Sequence, residues 1–535
     1  MRYINSSESK TLFEFLLRSP YFVDKTGLIG KLCPLIGTEN RYVCVTRPRR
    51  FGKTANARML ACFLSKNLGA SSLFTGLIVS QNRNAMAHLG THDVIYLDFS
   101  LMPQDCKNIN DYLDLLRAEL VEDLIQHYPG CPINKDADLF SALQAVHFAT
   151  ETRFCFIIDE WDSMFFNPQF TTDDQQVFLL FLKQLLKSRA YVDFAYMTGV
   201  LPIAKHSTGS ELNMFVEYTA ADDPRYEQFF GFTEQEVHAL VNHHVTVHPD
   251  ARVNFDGLAH WYNGYCAKDG TRLFNPRSVV LALLDDDLRS YWTESGPYDE
   301  IYYYVKHNVG AVRDDLVRMV GGESVRANVS AYSATSRELS TKDEIFSAMV
   351  VYGFLTYRDG AVSIPNHELM LRFQNVLAKE KMGYVAHLAQ RSHDMLAATL
   401  AADTQTMEEI IQGAHDQEVP LLRYANESDL AALVNLVYLA ARDRYWVRRE
   451  EPAGRGIADV AFIPKDASDA QAVPFIVELK CGGTTAEALS QIRERGYGKL
   501  FADGLLGETP GRRPLAVAIA WEPASKKHAA AVEPL

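Results

Sequence analysis

Apolar residues between positions 41 and 200 fall into short runs that alternate with longer amphipathic stretches. The runs have the length of buried strands, and the stretches between them have helical spacing. The strand-like runs are 41–46, 94–100, 154–159 and 192–200, and the helical stretches are 53–66 and 171–189. Because such alternation is typical of a parallel sheet covered by helices, we predict an α/β domain over residues 1–230.

The middle of the chain, residues 231–390, has a different pattern. Thr233 precedes an amphipathic helix, and Glu236 follows three residues later, which is the spacing of a capping box. The segment 344–366 predicts a helix, a strand, an Asp-Gly turn and a second strand. We therefore predict a helical lid with a winged-helix-like region in this range.

Residues 391–535 begin with helices and end with a second α/β pattern. Two strand-like runs, 458–464 and 474–480, flank a polar segment that predicts a hairpin loop. A helix over 485–501 and a buried strand over 514–521 follow. We expect this range to form a third domain, again of the α/β class.

The composition is that of an ordinary globular protein, with 47% apolar and 22% charged residues. No apolar run approaches the ~18 residues that span a bilayer, and residues 1–10 lack a signal-peptide pattern. We therefore expect a cytoplasmic protein with no membrane partner. The eight cysteines form no CxxC pair and the 16 histidines no HxH or HExxH pattern, so we expect buried thiols and no zinc site.

The net charge of −14 argues against broad affinity for nucleic acid, because phosphate is bound by basic surfaces. Two clusters of basic residues could still supply a local groove. The first is Arg41, Arg47, Arg49, Arg50, Lys53 and Arg58, and the second is Arg442, Arg444, Arg448, Arg449 and Arg455. A solvated surface is the other interpretation of each cluster, and for the second cluster the two are evenly balanced.

The segment TRPRRFGKT, residues 46–54, follows a strand and opens a helix, which is the context of a phosphate-binding loop. Gly52 allows the backbone to approach phosphate, and the helix N-terminus presents free N–H groups. Lys53 can reach the β- and γ-phosphates, and Thr54 can ligate Mg²⁺. Arg47 replaces the first glycine of the usual motif, but arginines also hold phosphate by charge and hydrogen bonds. We assign ATP binding to Arg49, Arg50, Phe51, Gly52, Lys53 and Thr54.

A second element favours the same chemistry. The strand-like run 154–159 ends in Asp159, which is followed by Glu160, and the carboxyl ends of strands carry the ligands in such sheets. We predict that Asp159 and Thr54 hold Mg²⁺ and that Glu160 orients or deprotonates the attacking water. Thr198 ends another strand and is a candidate sensor of the γ-phosphate. A solvated strand end is the simpler interpretation of the carboxylates, and a plain strand-terminal threonine that of Thr198.

An ordered series of segments resembles a known family. The segments are SPYFVDKTGLI (19–29), TRPRRFGKT (46–54), VIYLDFS (94–100), IIDEWD (157–162), YMTGVLPIAK (196–205), RYEQFFGFTEQEV (225–237), WYNGY (261–265) and FNPRSV (274–279). The series is similar to the AAA-ATPase-like family that is often fused to a PD-(D/E)XK nuclease domain. The resemblance makes the second segment the Walker A equivalent and implies a P-loop NTPase fold with ATP and Mg²⁺ as cofactors.

The resemblance also implies that Asp24 and Lys25, with Tyr21, lie near the nucleotide, around its base. Ala204 stands where the family has a basic residue, which leaves Lys205 and Arg225 as candidates for an arginine finger or second sensor. A P-loop ATPase without an arginine in cis can borrow one from a neighbouring copy, so a homo-oligomer is a further expectation.

The C-terminal α/β pattern contains a candidate metal site. Asp459 lies near the start of one predicted strand, and Glu478 and Lys480 lie on the next. Residues i and i+2 face the same side of a strand, so Glu478 and Lys480 project together and pairing brings Asp459 beside them. The two carboxylates can hold Mg²⁺, and the lysine can stabilise a scissile phosphate, so the matching chemistry is metal-assisted phosphodiester hydrolysis. An edge strand with an exposed Glu–Lys pair is the alternative.

This arrangement resembles the core of PD-(D/E)XK nucleases, an α/β restriction-endonuclease-like fold. Glu427 matches the helical glutamate of many such domains, and Gln491 matches a glutamine on the helix after the ExK strand. The resemblance therefore adds Glu427 and Gln491 to the catalytic set, and it offers Arg455 as a phosphate contact.

Three functions are compatible with these sites. In the first, ATP binding or hydrolysis controls a Mg²⁺-dependent nuclease that cuts nucleic acid, DNA rather than RNA, in defence or genome maintenance. In the second, Arg47 and its neighbours hold ATP while the C-terminal domain binds nucleic acid without cutting it. The third is an ATP-dependent scaffold for protein partners, which the acidic net charge mildly favours.

Overall fold

The structure is a computed structural model, and it divides the chain into two compact units. The N-terminal unit is Met1–Gly296 with Arg326–Leu369, and the C-terminal unit is Pro297–Val325 with Met370–Leu535. The described residues are 2–103, 106, 108–167, 169–203, 211–219, 224–292, 312–320, 322–329, 341–379, 383–418, 430–431, 433–434, 437–438, 440–465, 469, 472–501 and 513–535. The three predicted domain ranges stay a prediction.

Five strands build the central sheet of the N-terminal unit. They are β1 (Tyr42–Thr46), β2 (Asp93–Asp98), β3 (Phe154–Asp159), β4 (Val192–Gly199) and β5 (Val216–Tyr218). All neighbours are parallel, in the order β2-β3-β4-β1-β5, which confirms the predicted parallel α/β sheet. Because parallel strands run in one direction, the carboxyl ends of β1 and β3 lie at the same edge, separated only by β4.

Helices precede and follow these strands along the described parts of the chain. They are α1 (Ser7–Leu17), α2 (Gly27–Leu32), α3 (Lys53–Leu64), α4 (Arg83–Met86), α5 (Ile109–His127), α6 (Leu139–Thr150), α7 (Ser163–Phe166), α8 (Thr172–Leu186), α9 (Glu234–Val247), α10 (Phe255–Tyr262), α11 (Pro276–Asp285), α12 (Val312–Val320), α13 (Lys342–Tyr352), α14 (His367–Lys379), α15 (Gly383–Leu400), α16 (Thr404–Glu418), α17 (Ala441–Arg444) and α18 (Thr485–Arg495). Of the helices in the described residues, none joins enough length to enough apolar character to cross a lipid bilayer.

Short strands and helices follow the central sheet in the N-terminal unit. β6 (Phe232–Thr233), β7 (Tyr265–Cys266) and β8 (Arg272–Phe274) form an antiparallel sheet in the order β6-β8-β7. The predicted capping box of Thr233 and Glu236 starts α9, and the helices α9 to α11 pack around a core that contains Tyr262 and Phe274.

A hairpin follows α13, in the order that the sequence predicts. β9 (Val325–Arg326) precedes this region, and β10 (Thr356–Arg358) and β11 (Ala361–Ser363) are the arms of the hairpin. The turn residues Asp359 and Gly360 have positive φ angles of 50° and 83°, as expected for an Asp-Gly hairpin turn. The winged-helix likeness itself stays a prediction.

The C-terminal unit contains a mixed sheet of five strands. They are β12 (Tyr445–Ala453), β13 (Gly456–Pro464), β14 (Phe475–Cys481), β15 (Leu515–Glu522) and β16 (Lys527–Pro534), in sequential order across the sheet. Only β14 and β15 are parallel, and α18 connects them. Ala488 and Ile492 of this helix pack on Ile476, Ala516 and Ala518 of the two strands. The unit is thus α/β, and its likeness to restriction endonucleases stays a prediction.

Gly264 in the WYNGY segment permits a close approach between two parts of the N-terminal unit. Its φ is 108°, and a Cβ at this position would overlap the carbonyl oxygen of Pro365. Gly270 also has a positive φ, 88°, but the space around it is open. A side chain at Gly264 would meet both steric overlap and backbone strain, whereas a side chain at Gly270 would meet only the strain.

We expect Gly264→Ala to lower the free energy of unfolding by about 3 kcal/mol or more, because overlap adds to the strain. The matched control, Gly270→Ala, is expected to cost about 1 kcal/mol from strain alone. Urea unfolding of both variants measures the difference, and equal losses would contradict the close approach.

Candidate functional site

The loop between β1 and α3 has the backbone geometry of a tight turn into a helix. Arg50 and Gly52 both have positive φ angles, 69° and 87°, and Gly52 is the N-cap of α3. Glycine adopts this conformation at no steric cost. Since Lys53 is the first residue of α3, the free N–H groups of the helix begin directly after the loop, as a phosphate site requires.

Arg47, which replaces the first glycine of the usual motif, is the first residue of this loop, and its side chain bonds to the ends of two strands. Its side chain is buried, and Nη1 donates to the carbonyl oxygens of Thr46 at 2.7 Å and Tyr218 at 2.8 Å. The guanidinium also lies over the ring of Phe230 at 5.3 Å. Arg47 therefore links the ends of β1 and β5, and the contact with ATP in our second hypothesis stays a prediction.

Lys53 and Glu160 face each other across the end of the sheet. Lys53 is buried, and its Nζ donates to the carbonyl oxygen of Pro48 at 3.1 Å and lies 3.9 Å from Oε1 of Glu160. Glu160 has a positive φ of 48°, a strained conformation for a non-glycine residue that is often found at functional sites. The Lys53 ammonium therefore contacts its own loop and lies close to Glu160, the predicted catalytic base.

Asp159 lies at the same place, fully buried at the end of β3. Burial raises the pKa of Asp159 to about 7, the neighbouring Glu160 and Asp98 add to this, and a hydrogen bond from Thr54 and the charge of Lys53 oppose it. The Tyr96 hydroxyl also donates to Asp159, at 3.2 Å. A divalent cation would relieve this crowding of negative charge, and the Thr54 hydroxyl and Asp159 carboxylate are oxygen ligands of the kind Mg²⁺ takes. These residues fit the predicted metal.

A cavity of about 480 Å³ opens beside the loop, within the range of small-molecule sites. Its apolar walls include Tyr21, Phe22, Val23 and Phe232, and its polar walls include Arg50, Lys53, Thr54, Glu160 and Arg277. Phe51 lines it too and packs edge-on against Tyr265. The apolar wall suits the base of a nucleotide, and the polar wall suits its phosphates.

The residues predicted around the base have well-defined local partners. Asp24 accepts hydrogen bonds from the backbone and hydroxyl of Thr26 and from the backbone of Ile78 at 2.6 Å. Lys25 lines the cavity, and its Nζ donates to both carboxylate oxygens of Glu236 at 2.6 and 2.7 Å. Burial lowers the pKa of Lys25, and Glu236 opposes the change. Lys25 therefore belongs to the cavity wall, whereas Asp24 fixes the neighbouring turn. A direct contact of either residue with the nucleotide stays a prediction.

Three other predicted residues have side chains that contact groups outside the phosphate loop. The Thr198 hydroxyl is fully buried and donates to the Val45 carbonyl oxygen of β1 at 2.9 Å. The guanidinium of Arg49 lies over the Phe166 ring at 5.2 Å, whereas Arg50 donates to the carbonyl oxygen of Tyr291 at 2.6 Å. The sensor role of Thr198 and the phosphate contacts of the two arginines stay predictions.

Two residues of this site were missed by the sequence analysis. Asp162 is fully buried and accepts the backbone N–H groups of Val200 at 2.8 Å and Leu201 at 2.6 Å, so it anchors the chain after β4. Burial and the charge of Glu160 raise the pKa of Asp162 to about 6. Arg277, in the first turn of α11, is an exposed cation on the cavity wall. Both lie in segments quoted above, IIDEWD and FNPRSV, but only tertiary structure brings them to the site.

The candidates for an arginine finger have not gained support. Arg225 is exposed and lies over the ring of Tyr218 at 5.0 Å, and Ala204 and Lys205 lie outside the described residues. Arg277 is the described arginine that the structure places on the cavity wall together with Arg50.

The C-terminal unit brings its predicted residues together on one face of its sheet. Asp459 on β13 accepts the backbone N–H of Leu479 at 2.8 Å. Lys480 Nζ lies 3.6 Å from Oε1 of Glu478, and the Gln491 side-chain amide donates to the same oxygen. Four of the five predicted residues of this cluster therefore meet, and the fifth, Glu427, lies outside the described residues.

Glu478 is the most constrained member of this cluster. Its side chain is buried, and Oε2 makes no hydrogen bond with any described residue. Burial raises the pKa of Glu478 to about 7, Asp459 adds to the rise, and Lys480 opposes it. A buried carboxylate oxygen without a partner is costly, and a divalent cation between Glu478 and Asp459 would satisfy it. These residues fit Mg²⁺.

The second basic cluster is partly neutralised. Arg444 binds Asp469 at 2.7 Å and Arg448 binds Glu451 at 3.2 Å. The exposed Arg455 follows the turn at Gly454, where its backbone N–H donates to the carbonyl oxygen of Arg495 at 2.8 Å. A phosphate contact of Arg455 stays a prediction.

Comparisons with known proteins bear on the N-terminal part of the chain. A family model described as "Predicted AAA-ATPase" matches residues 11–208. No curated protein matches the chain. Solved structures to which the chain is similar include the ORC2 protein of Aeropyrum pernix in its ADPNP-ADP complexes, at 12% identity and a TM-score of 0.35 over 67% of this chain and 94% of that one. Another is the Walker-type ATPase paby2304 of Pyrococcus abyssi, at 10% identity and a TM-score of 0.33 over 69% of this chain and 95% of that one.

The family match spans the phosphate loop, β3 with its two carboxylates, and β4. The match ends at residue 208, before the C-terminal unit begins at Pro297. Residues 11–208 are thus similar to this predicted AAA-ATPase family, and an ATPase-like P-loop function is supported for this part of the chain.

Proposed function

We propose that the N-terminal unit binds ATP with Mg²⁺ in the cavity beside the loop and hydrolyses it. The observation that carries this proposal is the convergence of four side chains at the ends of β1 and β3. Thr54 lies close enough to Asp159 to lower its pKa, and Lys53 lies 3.9 Å from Glu160. The apolar walls near Tyr21 and the cations Arg50 and Arg277 extend the site in two directions.

Each residue has a distinct task in this proposal. Lys53 would release the Pro48 carbonyl oxygen and donate to the phosphates of ATP instead. Thr54 and Asp159 would hold Mg²⁺, which neutralises phosphate charge when bound. Glu160 would orient the attacking water and accept its proton. Arg277 would contact phosphate from α11.

Glu160→Gln is expected to lower the ATPase kcat by at least about 100-fold, because the amide cannot accept a proton, while ATP affinity is retained. Lys53→Ala should weaken binding as well, and Glu39→Gln, an exposed glutamate before β1, serves as control. Phosphate release and binding of a fluorescent ATP analogue separate the two effects. Hydrolysis at the unmodified rate in Glu160→Gln would contradict the assignment.

For the C-terminal unit we propose Mg²⁺-dependent hydrolysis of phosphodiester bonds in nucleic acid, DNA in preference to RNA. The carrying observation is the unpartnered, buried Oε2 of Glu478 beside Asp459. These two carboxylates would hold the metal, which supplies Lewis-acid chemistry when bound. Lys480 would stabilise the scissile phosphate, and Gln491 fixes the orientation of Glu478 through its hydrogen bond.

We expect Glu478→Gln and Lys480→Ala to abolish metal-dependent cleavage and leave ATP hydrolysis unchanged, since both residues lie in the other unit from the phosphate loop. Glu494→Gln, an exposed glutamate on α18, is the matched control. The assay uses single-stranded DNA, double-stranded DNA and RNA with Mg²⁺, each with and without ATP.

The outcomes of this assay also separate the three functions. Cleavage that depends on ATP supports a nuclease controlled by the N-terminal unit. Such a nuclease would suit a role in defence or genome maintenance. Binding of nucleic acid with every substrate left intact would instead identify a nucleotide-gated binding protein. Absence of both binding and cleavage would favour the third function, an ATP-dependent scaffold for protein partners.

A further inference from the structure

A cluster of three possible metal ligands lies away from both sites described above. His92 directly precedes β2, Cys155 is the second residue of β3, and Asp193 is the second residue of β4. The three lie at the amino ends of adjacent strands, whereas Asp159 lies at the carboxyl end of β3. One ligand atom from each residue falls within 4.8 Å of the others.

A tetrahedral metal ion would draw the three ligand atoms closer together. Zinc bonds of about 2.0–2.3 Å place two ligand atoms roughly 3.5 Å apart, and Nδ1 of His92 is 3.7 Å from Oδ2 of Asp193. Cys155 is fully buried, but the side chains of His92 and Asp193 are 14% and 17% exposed. An ion could therefore enter from solvent and keep water as a fourth ligand.

The sheet is irregular at this point, in a way that determines where Asp193 lies. Phe154 pairs with Val192, but the next residue, Cys155, pairs with Phe194, so Asp193 is an extra residue on β4. Such a bulge re-aims a side chain and is frequent beside functional sites. The regular pairing of β3 with β4 is thus interrupted at Asp193, next to Cys155.

Neighbouring groups orient the ligand atoms. Nδ1 of His88 lies 2.9 Å from Nε2 of His92, with the two rings stacked. A neutral His92 that donates Nε2–H to His88 leaves Nδ1 free as an acceptor, the arrangement that fixes a metal-binding histidine. The exposed Arg153 is 3.7 Å from Oδ1 of Asp193, the carboxylate oxygen other than the one nearest His92.

Although the cysteine and histidine patterns predicted no zinc site, we propose that His92, Cys155 and Asp193 form a binding site for a zinc-class transition-metal ion. Imidazole, thiolate and carboxylate together suit Zn²⁺, and the sulfur selects against Mg²⁺. Binding displaces the Cys155 thiol proton to solvent, and the thiolate balances part of the metal charge. The ion joins β2, β3 and β4 at the end of the sheet opposite the nucleotide residues, independently of the proposed ATPase and nuclease.

The test uses the full chain, freed of metal by a chelator and then titrated with Zn²⁺ or Co²⁺ without nucleotide or Mg²⁺. We expect one tightly bound ion per chain and, with Co²⁺, an ultraviolet thiolate-to-cobalt charge-transfer band. Cys155→Ser should lose the band, and Cys62→Ser, a buried cysteine in α3, should keep it.

Because Cys155→Ser alters a buried residue, Asp193→Asn and His92→Gln provide a second measurement. Each is expected to weaken zinc affinity at least about tenfold and to abolish the rise in Tm that zinc gives the unmodified chain. Circular dichroism verifies that these variants fold. Absence of bound metal in the unmodified chain, unchanged affinity in the folded Asp193→Asn variant, or a band that persists in Cys155→Ser would overturn the proposal.

Discussion

Buried negative charge is the constraint on which both candidate sites depend. Asp159 and Glu478 each project from the core of a sheet, and burial raises the pKa of each to about 7. A second carboxylate stands beside each of them, Glu160 in one unit and Asp459 in the other. Such an arrangement is expensive unless a cation compensates it. Lys53 and Lys480 provide part of that charge, and a divalent ion would provide the rest.

The phosphate loop shows how a substitution at a glycine position can be accommodated. Arg47 would crowd the phosphates if it projected into the loop. It instead turns beneath it and donates to two carbonyl oxygens at the ends of β1 and β5. The left-handed residues, Arg50 and Gly52, then make the turn into α3 without the missing glycine. The loop therefore still turns directly into α3, while the arginine joins the ends of β1 and β5.

The two ends of the central sheet have different chemistry. Near the carboxyl ends of β1 and β3 lie the first two residues of α3, Lys53 and Thr54, and two carboxylates. These are hard ligands or charges suited to phosphate and Mg²⁺. The amino ends of β2, β3 and β4 gather an imidazole, a thiol and a single carboxylate, a softer set. In these two proposals one sheet would hold two separated cations of different preference, and β3 would contribute to both sites.

The sequence alone determined the features that depend on neighbouring residues. Alternating strands and helices predicted the parallel sheet, Gly52 with Lys53 predicted the turn into α3, and the i, i+2 spacing of Glu478 and Lys480 placed both on one face. Tertiary structure decided whatever depends on residues far apart in the chain. The carbonyl oxygens that bind Arg47, the arrival of Arg277 at the cavity and the meeting of His92, Cys155 and Asp193 have no local pattern. The physical reason is that hydrogen bonds and metal ligands require proximity in space, which strand order and a bulge in β4 create.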